Sequence, residues 1–252
     1  MSAIRNVLMA TLAVTALTTP IFAQELDVIR IGLLGGENET DRLADNQCLV
    51  DKLPAALGVK EVKLFPAADY DGVIQGLLGG TLDIAGLGAS GYAAVYLQDP
   101  DAVEPFVTTV QTDGSTGYHS VMLTRKDSGI KTLADAKGKK LGYADPDSTS
   151  GYLIPLVTLP DDPALAGAKP DQFFSETSFN GGHENNVLAL LDGKVDVAVT
   201  WASGVGEFSE GYTSGNIRTM VDKGMLDMED VVQVWESPLI PNGPLVMRSD
   251  LP

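Results

Sequence analysis

The chain has 252 residues, 44% of them apolar, which suits one or two packed domains. Its 34 acidic residues against 17 basic ones give a formal net charge of −17. That charge argues against a nucleic-acid partner, which needs a basic surface to displace counterions, and against electrostatic docking on anionic membrane. The single cysteine, Cys48, rules out an internal disulfide and a cysteine-cluster zinc site, and two histidines, His119 and His183, leave little room for a metalloenzyme. No metal and no cofactor is assigned.

Residues 1–23 read as a cleavable signal peptide, with Arg5 as the positive n-region and residues 7–17 as a short apolar stretch. That stretch falls short of the roughly 20 apolar residues a membrane span needs. Ala23 closes the segment with the small residue a signal peptidase requires, which places the mature chain in the periplasm. Apolar runs then predict strands at 28–34, 62–65, 82–87, 121–125, 141–144, 195–201 and 245–247. Helical patterns fall between them at 70–78, 92–97, 132–136 and 184–191. Alternating strands and helices indicate an α/β fold with largely parallel sheets.

One pattern occurs twice. Residues 70–85 and 183–198 each hold a short helix, a glycine turn and an apolar-Asp-apolar-Ala strand, 113 residues apart. A weaker echo pairs Ile31-Gly32 with Leu141-Gly142. Two echoes in the same order suggest two similar lobes, with Tyr70 and His183 at matching helix starts. Such lobes describe a cleft that closes around a ligand.

The local chemistry points to a small oxyanion. After the strand at 141–144, Pro146 breaks the chain and Ser148-Thr149-Ser150 open a helix. Three hydroxyls on a helix N-terminus combine O–H and N–H donors with the positive end of the dipole, so they can hold an anion without Lys or Arg. The competing role is a plain N-cap. Tyr70 is a phenol donor or a half-buried core tyrosine, and His183 an oxyanion donor or a surface cap. Gly88 and Ala89, in a small-residue loop, can bring backbone N–H groups near a ligand, and Trp201 either walls the cleft or sits in the core. Enzyme signatures are missing: Val187 stands where a zinc-protease helix needs its second histidine, and there is no nucleophile elbow or phosphate-loop lysine.

Residues 28–250 resemble the periplasmic phosphonate-binding proteins of ABC uptake systems. The resemblance rests on Ala68-Asp69-Tyr70, Leu82-Asp83-Ile84-Ala85, Asp113-Gly114-Ser115-Thr116-Gly117-Tyr118-His119-Ser120, Asp145-Pro146-Asp147-Ser148-Thr149-Ser150-Gly151, Gly182-His183-Glu184, Val195-Asp196-Val197-Ala198 and Ser237-Pro238-Leu239-Ile240-Pro241. It implies a two-lobed type II periplasmic-binding fold with two crossing strands, near 121–126 and 240–246. Lobe 1 would then be 24–120 with 247–252, and lobe 2 would be 121–246. It also implies that Ser148, Thr149, Ser150, Tyr70 and His183 hold the oxyanion. The implied activity is non-enzymatic capture of a phosphonate or phosphite for an inner-membrane permease. Another oxyanion, a phosphorylated metabolite or a ligand-presenting sensor role are the alternatives.

Three departures qualify the resemblance. Members that take aminoalkylphosphonates carry carboxylates where this chain has Ser203 and the turn Ile240-Pro241-Asn242-Gly243-Pro244, and family members carry an aromatic where it has Leu87. A buried ammonium without a carboxylate is costly, which favours a ligand without an amine. The family also continues past the position of Pro252 into helices packed on the first lobe, so this chain is expected to be shorter than its relatives.

Overall fold

The computed structural model describes residues 26–252, so the signal-peptide expectation for 1–23 lies outside the described residues. The chain forms β1 (Val28–Leu33), α1 (Glu39–Asp45), α2 (Gln47–Leu57), β2 (Glu61–Pro66), α3 (Tyr70–Leu78), β3 (Ile84–Gly86), α4 (Ala89–Gln98) and β4 (Val103–Thr108). It then crosses to β5 (Gly117–Arg125), β6 (Lys140–Tyr143), α5 (Ile154–Thr158), α6 (Pro170–Phe173), β7 (Glu176–Phe179), α7 (His183–Leu191), β8 (Val197–Ala202), α8 (Asn216–Asp222), β9 (Val231–Glu236) and β10 (Ile240–Pro241). A second crossing returns it to β11 (Pro244–Arg248).

The two sheets share one topology. The first runs β2-β1-β3-β11-β4 and the second β7-β6-β8-β5, with β9 and β10 both on the outer side of β5. In each, a repeat strand (β3 or β8) lies between a parallel partner (β1 or β6) and an antiparallel one (β11 or β5). Both sequence echoes fall on one register position, since Ile31 and Gly32 pair with Ile84 and Ala85, and Leu141 and Gly142 with Val197 and Ala198.

The sheets are mixed rather than largely parallel. The pairs β1–β2, β1–β3, β6–β7 and β6–β8 are parallel, whereas β5 and β11 run antiparallel to every strand they pair with. A parallel return needs a crossover connection, usually a helix. β5 and β11 are instead delivered directly by the crossings, without one.

The first crossing is the segment 109–116, not 121–126. Val121, Met122 and Leu123 are fully buried in the second sheet, and an apolar run of that kind is core strand, not a hinge exposed to both lobes. Gly117 to Ser120 accordingly belong to the second sheet, and Pro244 to Val246 to the first. The second crossing, Asn242 and Gly243, lies within the expected stretch. Asn242 ties the two together: its N–H donates to the Thr116 carbonyl (3.1 Å) and its side-chain amide to that of Thr109 (2.8 Å).

The lobes differ in how their sheets are covered. In lobe 2 both faces are packed: Val121, Leu123, Leu190, Ala198, Ile217 and Met220 on one, Met122, Leu141, Leu159, Phe173, Val197 and Val199 on the other. In lobe 1, one face packs on Val73, Ile74, Leu77 and Val95, while the other has only Ile29, Ile31 and Val62 buried, with Leu49 and Leu53 of α2 half-covering them. Among the described residues no helix is long and apolar enough to cross a membrane.

Candidate functional site

The hydroxyl run sits where β6 ends. Asp145 turns the chain, its carboxylate accepting the Asp147 N–H (2.8 Å) and its carbonyl the Ser148 N–H (3.0 Å). The next turn is wide, a π-turn over Thr149–Leu153, in which Leu153 N–H reaches back to the Ser148 carbonyl (3.1 Å). Ser148 caps it, its Oγ accepting the Gly151 N–H (3.0 Å). Thr149 and Ser150 open the turn, so no helical carbonyl can reach their N–H groups. Ser120 Oγ holds the turn against the sheet by donating to the Ser150 carbonyl (2.6 Å). Ser148, Thr149 and Ser150 are each buried, at 2–4% exposure.

The two helix starts meet this turn from opposite lobes. His183 Nε2 lies 3.2 Å from Ser148 Oγ, while its Nδ1 is buried without a partner. Burial pushes the imidazole down to about 4, so it is neutral at physiological pH. Tyr70 comes from lobe 1. Burial drives its phenol well above the ordinary range, only partly offset by the Ser148 hydroxyl beside it, so it remains an O–H donor. The site therefore offers neutral donors at helix N-termini. Arg42, the guanidinium lining the cleft, is already engaged by the carbonyls of Leu33, Leu34 and Ala67.

Lobe 2 also caps two helices of lobe 1. The Asp145 carboxylate accepts the Tyr70 N–H (3.3 Å) at the start of α3. Thr149 Oγ1 accepts the Ser90 N–H (2.8 Å) at the start of α4, which leaves the Thr149 proton free to donate into the cleft. Burial raises Asp145, and Asp147 is raised by burial and then by Asp145, Asp71 and Asp69.

The cleft is a cavity of about 770 Å³ lined by Tyr70, Ser148, Thr149, Ser150, His183, Gly88 and Trp201 among others. Its lining also includes apolar side chains of lobe 1, among them Leu53, Phe106 and Leu245. Ala89 does not line it, being exposed on the first turn of α4, while Gly86, Leu87 and Gly88 before it form the wall. Ser203 does not line it either. It follows the end of β8, its N–H donates to the Ser214 carbonyl (3.0 Å), and Gly204 at φ +72° turns the chain away.

Tyr118 is the wall residue that the helix-start argument misses. It stacks edge-to-face on Trp201 (5.4 Å, 75°), and burial raises its phenol, offset in part by Ser150 and Thr149 beside it. It reaches the cleft from β5, and Tyr118 and Ser120 share a face because strand side chains alternate. Glu37 and Gln111 also line the cleft, from the loop after β1 and from the first crossing.

Comparison with known proteins agrees with this architecture. Residues 31–252 match the family model described as ABC transporter, phosphonate, periplasmic substrate-binding protein. The phosphonates-binding periplasmic protein of Escherichia coli K12 is 32% identical over 244 residues, covering 95% of this chain and 66% of that protein. The phosphate-import protein PhnD of Mycolicibacterium smegmatis is 29% identical over 217 residues, covering 85% and 64%. The chain thus spans slightly under two thirds of the length of these curated relatives. A binding-protein component of an ABC phosphonate transporter from Pseudomonas aeruginosa superposes with a TM-score of 0.73 at 31% identity, over 89% of this chain and 70% of that one. PhnD1 of Prochlorococcus marinus, solved with methylphosphonate, shares the fold at a TM-score of 0.69 and 18% identity, over 89% and 78%. By sequence and by architecture, this chain belongs to the periplasmic substrate-binding proteins of phosphonate ABC transporters.

Proposed function

We propose that this protein captures a small phosphonate-type oxyanion in its cleft and presents it, on the periplasmic side, to an inner-membrane ABC permease. The observation that carries this reading is the convergence of Ser148, Thr149, Ser150 and His183 from lobe 2 with Tyr70 from lobe 1 on one cavity. These are neutral donors at helix N-termini, suited to three oxygens that share negative charge. Tyr118 joins them as a further donor and wall. The ligand leaves unchanged, because its role is to be bound, enclosed by movement about the two crossings, and released.

The two positions where relatives carry carboxylates favour a ligand without an amine. A side chain at Gly243 would overlap the Leu87 carbonyl oxygen, so a carboxylate has no room there. Ser203 lies outside the cleft and carries no charge. An ammonium would find no carboxylate at either of those positions, and the Glu37 carboxylate that also lines the cleft already lies in the field of Lys223. We therefore expect phosphite, methylphosphonate or another amine-free phosphonate. Inorganic phosphate is the second reading, favoured by the Mycolicibacterium smegmatis relative, whose name assigns it to phosphate import.

A thermal-shift panel of phosphite, methylphosphonate, 2-aminoethylphosphonate, phosphate and sulfate tests both. A ligand at a hundredfold excess over its dissociation constant adds about 2.7 kcal/mol, or several degrees in a chain of this size. Stabilisation by phosphite or methylphosphonate is expected. A dominant shift with 2-aminoethylphosphonate would overturn the amine-free assignment, and one with phosphate would favour the second reading. The triple variant S148A/T149A/S150A should lose calorimetric binding while staying folded; retained affinity would sink the site.

A further inference from the structure

The geometry points to Lys223 as a clasp that holds the two lobes together without touching the ligand. This inference rests on the cleft binding its ligand by lobe closure, as proposed above. Lys223 follows α8 in lobe 2. Its Nζ lies 2.9 Å from Asp41 Oδ2 on α1 of lobe 1, and 3.1 Å from Glu184 Oε2 on α7 of its own lobe. One ammonium therefore ties a lobe 1 helix to the helix that begins with His183.

The surroundings give this link its weight. The lobes meet beside it at Gly36 and Gly182, packed so closely that a side chain on either would overlap the other's backbone. Glu184 is nearly buried, and half-buried Glu37 of lobe 1 lies within the fields of both Lys223 and Glu184. The seam thus brings Glu37 and Asp41 from one lobe against Glu184 from the other. Without Lys223, like charges would face each other across it and favour separation. In a chain with twice as many acids as bases, a cation at this seam bears directly on closure. Lys223 is accordingly a positioning residue: it acts on how long the lobes stay shut.

Asp41→Ala is the cleanest test, because it removes the interlobe arm and leaves the buried Glu184 its partner. Labels on exposed Cys48 of lobe 1 and on a cysteine at exposed Lys194 of lobe 2 report the lobe separation by energy transfer. Stopped-flow measurements with methylphosphonate give the association and dissociation rates. We expect D41A to speed dissociation about two- to fivefold, the range of a partly exposed ion pair, with association unchanged. The difference should shrink in 1 M salt, where the Debye length is about 3 Å. The ligand-free protein should shift toward greater separation, and K223M with D41A should open no further than K223M alone. Unchanged separation and unchanged dissociation in D41A at low salt would overturn the clasp. If methylphosphonate fails to bind the wild type, the ligand reading falls, and the ligand-free separation in D41A alone decides the clasp.

Discussion

The two copies of the helix–strand repeat, α3–β3 and α7–β8, have one backbone and different chemistry. Their turns correspond bond for bond: Thr81 N–H donates to the Gly76 carbonyl as Lys194 N–H does to that of Ala189, both at 2.9 Å. The repeated aspartate has one task in both copies. Asp83 accepts the Arg30 N–H (2.7 Å) and Asp196 the Lys140 N–H (2.9 Å), each stitching the repeat strand to its parallel neighbour. Beyond that the copies diverge. Asp83 is fully buried with the guanidinium of Arg30 on it and Arg248 nearby, whereas Asp196 is half-buried without an arginine. Val73 packs under the first sheet, and at the matching place Asn186 holds the carbonyls of Gly142 and Val199 (2.9 and 2.8 Å). Asp69 caps α3, but the N-cap of α7 is Gly182, whose φ of +135° and contact with Gly36 exclude a side chain. A duplicated scaffold can thus keep its register while one copy supplies an ion-paired edge and the other an uncapped helix start for the site.

Substitutions at matched positions sharpen the comparison. The largest effect is expected at the aspartates. Asp83→Ala leaves Arg30 without its buried partner and should cost about 3 kcal/mol, while Asp196→Ala, which loses a partly exposed bond, should cost about 1 kcal/mol. Urea unfolding of the pair checks this, and equal losses would break the comparison. Next is Asn186→Ala, expected to cost about 1–3 kcal/mol by orphaning two buried carbonyls. Asn186→Val, which copies lobe 1, should not rescue it.

His183 should then give stability an acid-side pH dependence, whereas the raised Tyr70 phenol acts only at alkaline pH. The unfolded chain takes up a proton near 6.5 that the native imidazole refuses until about 4. The unfolded state therefore binds more protons between those values, and stability falls as pH drops through that window, by at most about 1.4 kcal/mol per unit. Above 6.5 the group contributes no slope. Thermal melts of His183→Gln should be flatter from pH 6.5 to 4, and an unchanged slope would place the titrating group elsewhere. The smallest effect is expected at the cap: Asp69→Ala should cost about 1 kcal/mol by removing the acceptor for Gly72 N–H.

Much of this was legible in the residues. The repeat at 70–85 and 183–198 is visible because both halves of each copy answer to local rules, helix periodicity and strand alternation. Ser148, Thr149, Ser150, Tyr70 and His183 could be singled out because a helix start has unpaired N–H groups wherever it sits, and all five line one cavity. Tyr118 was not, since nothing local marks it; it faces the cleft because β5 enters the second sheet next to β8. β4 and β9 escaped notice because each is an edge strand with a broken apolar pattern, paired only to β11 or β5. Ser203 came from the resemblance alone, and it does not line the cleft because it leaves the end of β8 to pair with Ser214.

By itself the sequence determined the α/β class, the duplication and the cluster of donors at the hydroxyl turn, because these follow from spacing, turn residues and unsatisfied helix ends. Only the tertiary structure decided where the chain crosses between lobes, that lobe 2 side chains cap lobe 1 helices, and that Gly243 leaves no room for a carboxylate. Those depend on contacts between residues such as Tyr70 and Asp145, 75 positions apart. Local periodicity carries no information about such distances, and it is the meeting of the two lobes across the cleft that sets them.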